Sequence, residues 1–212
     1  MLDTETYGDF DSPIVYDLGM AIVDKKGKVY AQYSFVIDET FHDKKVETAY
    51  YADKLPQYHQ DIELGKRKVV SFEAALWVAN TLYQRWNCKA AVAHNAKFDC
   101  NALANTAKKL GYSNFFMKDT GVKWWDTLQM SADTIGKQKA YERFCTRNNY
   151  LTKKGAPRLT AEILYRYITG KEDFVESHTG LEDVLIEKVI FTHCLRQHKK
   201  MRTGFFDFAY RH

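Results

Sequence analysis

An α/β fold, a mixed sheet of about five strands flanked by helices, is what the order of patterns in this 212-residue chain predicts. Three observations carry that expectation. Two long apolar runs stand back to back across a short turn, which makes an antiparallel pair. A short apolar run, a helical stretch and a second short run follow, and that passage completes a mixed sheet. Several other stretches keep a helical period. The length fits one domain, 1–212, with a full core. Hydrophobic content of 45% and charged content of 27% belong to the globular class.

Asp3 and Glu5 lie two apart on what reads as the first strand, so their carboxylates share a face. Ile14 to Asp24 and Lys28 to Ile37 form the hairpin, turning at Lys25-Lys26-Gly27. Gln32 and Ser34 among Tyr33, Phe35 and Ile37 suggest a partly exposed sheet. Residues 38–70 are polar and read as an irregular or partly helical excursion. Ser71 then caps a helix whose apolar face holds Phe72, Ala75, Leu76, Ala79, Leu82, Tyr83 and Trp86.

Ala90 to Ala93 is a short buried strand. From Phe98 a helix runs through Ala102, Leu103 and Ala107 to Gly111, with Lys108 and Lys109 at the negative end of its dipole. Val122 to Leu128 is a further strand, with Asp126 at its end. A helix from Thr160 to Gly170 carries a Leu159/Leu164 staple, and the last helix starts at Thr179, where Thr179 and Glu182 fit a capping box.

No apolar run approaches the roughly 20 residues that span a bilayer, and no secretory signal precedes the third residue. Cys88, Cys100, Cys145 and Cys194 are scattered, as expected of reduced thiols, and a cytoplasmic location is expected. A net charge of +4 permits an anionic partner without requiring one. Lys66-Arg67-Lys68 and similar clusters are expected on the solvated surface. His193, Cys194 and His198 have helical spacing for zinc, but surface side chains are expected there. The tail, 201–212, holds Phe205, Phe206, Phe208 and Tyr210, which pack against the domain or dock a protein partner.

Four acids and one histidine stand in a fixed order: Asp3 and Glu5, then Asp99, then His178 and Asp183. Asp-Thr-Glu-Thr at 3–6, His-Asn-Ala-Lys-Phe-Asp at 94–99 and His-Thr-Gly-Leu-Glu-Asp at 178–183 closely resemble the three motifs of the DEDD superfamily of 3′–5′ exonucleases. The histidine branch of that superfamily is the one matched, since position 179 is Thr where the other branch has Tyr. The likeness runs over nearly the whole chain. It implies an RNase H-like fold and hydrolysis of phosphodiester bonds at the 3′ end of single-stranded DNA or RNA. It also implies two divalent cations, Mg²⁺ or Mn²⁺, held by Asp3, Glu5, Asp99 and Asp183, for which hard oxygen ligands are suited.

His178 is then the general base, and Thr6, Tyr7, Asn95 and His94 are candidates for substrate contact. Asp126 is expected beside the site without ligating a cation, and Phe98 in the core. Two features depart from the family. Only Met1 and Leu2 precede the first acid, from which an upstream native start is expected. Tyr7, Gly8 and Asp9 follow Thr6, so the wedge between terminal bases falls to Tyr7 or Phe10. A non-catalytic nucleic-acid-binding or docking protein on the same fold is the alternative.

Overall fold

The computed structural model describes residues 1–112 and 121–206. The expected α/β class is what it shows. Strands β1 (Leu2–Tyr7), β2 (Ile14–Val23) and β3 (Val29–Ile37) form an antiparallel meander. A fourth strand, β4 (Lys68–Val70), joins β3 in parallel. The pair β5 (Ala91–Ala93) and β6 (Trp124–Asp126) is also parallel and lies beside β1. Among the described residues six strands, in a four-stranded and a two-stranded sheet, answer the expectation of about five. β4 gave no pattern because it is a three-residue edge strand with Lys68 and Val69 exposed.

The excursion folds into α1 (Asp38–Phe41), two 3₁₀ turns and α2 (Leu55–Glu63). After it come α3 (Phe72–Arg85), α4 (Ala96–Lys109), α5 (Thr127–Asp133), α6 (Lys139–Arg147), α7 (Ala161–Thr169) and α8 (Gly180–Arg196). Ser71 caps α3 as expected, its Oγ accepting the Ala74 N–H at 3.2 Å. α4 begins two residues before the expected Phe98, while α5 and α6 had no sequence expectation.

Among the described residues, apolar side chains collect in three places. Leu2, Val15, Leu18, Phe35 and Ile37 of the sheet meet Phe72, Leu76 and Leu103 of α3 and α4. Met130, Tyr141, Leu164, Ile190 and Phe191 fill the space among α5 to α8. Tyr7, Tyr16, Val36, Phe41 and Tyr58 lie under the excursion. No helix among the described residues is long and apolar enough to cross a membrane.

α8 is fixed against the meander by backbone contact. A Cβ on Gly19 of β2 would fall 2.1 Å from the Gly180 carbonyl carbon, so only glycine allows the approach. The capping box does not form: Thr179 Oγ1 donates to Glu182 Oε2 at 2.7 Å. The Gly180 N–H instead reaches Asp17 Oδ2 on β2, 2.9 Å away. Tyr58 and Arg67 also hold Asp17, and Arg67 continues to Asp61 and Glu182. Arg67 is therefore buried, a correction to its expected place on the surface. Three acids around its guanidinium offset the cost of desolvating it.

Candidate active site

β1 delivers the first two acids. Alternation along the strand turns Asp3 and Glu5 the same way, opposite Gly19 and Asp17 of β2. The register shifts between Glu5 and Thr6, a bulge that increases local twist. Beyond it Tyr7 is buried under the excursion, its hydroxyl donating to Asp43 at 2.8 Å and accepting from Lys109 at 2.7 Å. The Tyr7 side chain thus points away from the cleft, which Thr6, Gly8, Asp9 and Phe10 line.

Asp183 lies in the first turn of α8, and Asp99 in the first turn of α4. Oxygens of Asp3, Glu5 and Asp183 all lie within 4.8 Å of one another. Asp99 lines the same cleft, whose volume is about 760 Å³. Its Oδ1 accepts from the backbone N–H of Thr4 at 3.0 Å and from the Thr4 hydroxyl at 2.8 Å. Ser177 Oγ donates to Asp183 Oδ1 at 3.3 Å.

Among the described residues none of the four acids is ion-paired. Burial pushes the Asp3 and Glu5 carboxyls well above the usual range, and neighbouring acids add to the effect. Burial likewise raises Asp99 to about 7 and Asp183 to about 8. Such a group keeps protons unless a cation replaces them. The donors converging here are all carboxylate oxygens, a set that fits Mg²⁺ or Mn²⁺ better than softer metals.

His178 lines the same cleft from the loop before α8, with a left-handed backbone at φ 55°. Its ring stacks on Tyr51 of the excursion, with centroids 3.9 Å apart and planes 10° from parallel. Burial lowers its pKa. Glu162 and Glu176 approach it, their ligand atoms and that of His178 lying within 4.8 Å of one another. His94 is fixed at both ring nitrogens, to the Thr127 hydroxyl at 2.9 Å and the Leu159 carbonyl at 2.8 Å. Because that carbonyl can only accept, Nε2 carries the proton.

Asn95, left-handed at φ 64°, starts α4 and donates its N–H to Asp126 Oδ1 at 3.0 Å. Asp126 also accepts the N–H groups of Leu128 and Phe206, so its oxygens serve the backbone, and it does not line the cleft. Phe98 was expected in the core but is half-buried in the cleft wall, 5.8 Å from the Phe10 ring. Phe206 packs into the domain and Phe205 lies against Trp124, whereas Phe208 and Tyr210 lie outside the described residues. Among the described residues His193, Cys194 and His198 do not converge as ligands.

Sequence reasoning missed several lining residues. Tyr50 is an exposed ring, Arg158 is an exposed cation, and Glu176 and Glu187 are further acids. Only Glu187 had a readable signal, its place one helical turn after Asp183. The others meet the cleft through loops whose path the sequence does not reveal.

No protein-family model matches the chain, and no curated protein matches it. Among solved structures, it is similar to Exonuclease X in complex with 5′ overhanging duplex DNA, at 15% identity and a TM-score of 0.45. That similarity covers 93% of this chain and 90% of the other. At that depth it carries nothing further, and the site rests on the geometry above.

Proposed function

We propose that the protein is a divalent-cation-dependent 3′–5′ exonuclease of the histidine-branch DEDD type. Its substrate on this reading is the 3′ end of single-stranded DNA or RNA, and its product a nucleoside 5′-monophosphate. The supporting observation is the meeting of Asp3, Glu5 and Asp183 within 4.8 Å, in a cleft that Asp99 and His178 also line. These are the five side chains, remote in sequence, on which the motif resemblance rests.

Two Mg²⁺ or Mn²⁺ ions held by Asp3, Glu5, Asp99 and Asp183 would supply positive charge at the scissile phosphate and at the departing 3′-oxygen. Thr4 keeps one Asp99 oxygen occupied, which directs the carboxylate. His178, held neutral near pH 7 by its lowered pKa, is the base that takes the proton of the attacking water. The Tyr51 ring fixes its plane.

At the mouth, Phe10 and Tyr50 offer open ring faces on which unpaired bases stack in any sequence. Arg158 offers a guanidinium fork to phosphate oxygens. Thr6, Asn95 and His94 border the same space.

The test is release of label from 3′-labelled single-stranded DNA and RNA, with and without Mn²⁺. Wild-type protein is expected to release labelled mononucleotide only with the cation. Asp3→Asn and Asp183→Asn are each expected to lose roughly 10³-fold or more, because the charge facing the transition state is misplaced. A wild-type protein that binds the strand but leaves it intact would sink the reading in favour of a binding-only role.

A further inference from the structure

We infer that Glu187, one turn beyond Asp183 on α8, is a fifth cation-facing carboxylate of the cleft, serving the side where Asp3 and Asp99 lie. This rests on the cation-dependent reading above. The side chain is 3% exposed, yet it lines the cleft together with Asp3, Asp99 and Asp183. Its Oε2 is buried and has no hydrogen-bond partner among the described residues. No ion pair reaches it among them either.

A buried acid in that condition is costly, and an apolar side chain of the same length would fill the space without the penalty. The four-residue step from Asp183 puts both carboxylates on one face of the helix. The main chain of His94, just beyond β5, lies near the Glu187 carboxylate. That places the group beside the segment leading into Asp99. What remains is an oxygen with no hydrogen-bond partner among the described residues, in a cleft that Asp3, Glu5, Asp99 and Asp183 also line, and a cation or its coordinated water satisfies it.

The experiment measures Mn²⁺ binding to the full chain by titration calorimetry and by electron paramagnetic resonance of free Mn²⁺. Thermal melts with and without the ion accompany it. Glu187→Gln keeps size and shape; Glu187→Met, apolar and of similar length, is measured beside it in case one variant fails to fold. The expected result is a loss of about 10- to 100-fold in Mn²⁺ affinity, the range seen when a partner of a metal site is removed. The rise in Tm on adding Mn²⁺ should shrink accordingly, while the cation-free Tm stays equal or increases.

A folded variant with the wild-type isotherm and the wild-type Tm rise overturns the role of Glu187 and leaves the nuclease reading intact. A variant whose cation-free Tm falls while its affinity is unchanged assigns Glu187 to packing and also overturns it. Wild-type protein that takes up no Mn²⁺ at millimolar concentration overturns both.

Discussion

Thr4 ties one oxygen of Asp99 with two hydrogen bonds, from its backbone and from its hydroxyl, and so joins β1 to α4 inside the cleft. His178 is held differently, by a left-handed backbone and by the face of Tyr51. On the proposed reading, His178→Ala slows strand cleavage by about 10² to 10⁴ fold at saturating substrate. Mn²⁺ affinity should be largely retained, and calorimetry on the same sample checks it. A variant with wild-type turnover would remove the base assignment. At this scale the acids were legible because two short-range rules place them: alternation on a strand for Asp3 and Glu5, and the first helical turn for Asp99 and Asp183. The Tyr51–His178 pair was not, since it joins segments distant in sequence that share no local pattern. Nor was the burial of Tyr7, since Asp43 of the excursion and Lys109 of α4 meet its hydroxyl from distant positions.

Among elements, the contact that matters most is α8 on β2. Gly19 and Gly180 bring the two backbones together, and Asp17 receives the first free N–H of the helix. Gly19→Ala would place a methyl group inside the Gly180 backbone, and the helix must move to admit it. We expect a loss of about 1–3 kcal/mol or more in urea unfolding, the cost of forcing volume into a packed contact. Weaker Mn²⁺ binding should accompany it, because Asp183 rides on the same turn; unchanged stability would refute the steric account. The hairpin and α3, α4, α7 and α8 were legible from period and punctuation. The cap of α8 was not, since Thr179 and Glu182 offered a local solution and a buried aspartate 163 positions away supplied the actual one.

The whole molecule carries a pH signature set by its carboxyls. Asp99 and Asp183 have folded pKa values of about 7 and about 8, above their ordinary value near 4. Between those limits the folded chain binds more protons than the unfolded one, so stability falls as pH rises. It is fully present below about pH 4 and lost progressively up to about pH 8, as far as these two groups are concerned. Cation-free protein should therefore melt roughly 5 °C or more lower at pH 8.5 than at pH 5.5. Millimolar Mg²⁺ or Mn²⁺ should flatten that slope by taking the place of the protons. A cation-free Tm that climbs across the interval would contradict the clustering of acids. The α/β class was legible at this scale because the order of strands and helices follows from pattern alone. The excursion was recognised but not its architecture, which depends on Tyr16, Phe41 and Tyr58 meeting from separate segments.

Asp126 gathers the backbone N–H groups of Asn95, Leu128 and Phe206, and its own N–H goes to Thr203. One carboxylate thus knots the approach to residue 206 to the entrance of two helices, the first of which bears Asp99. Tension applied to a tag or fused protein beyond that knot would be transmitted to Asn95 and so to the start of the helix that carries Asp99.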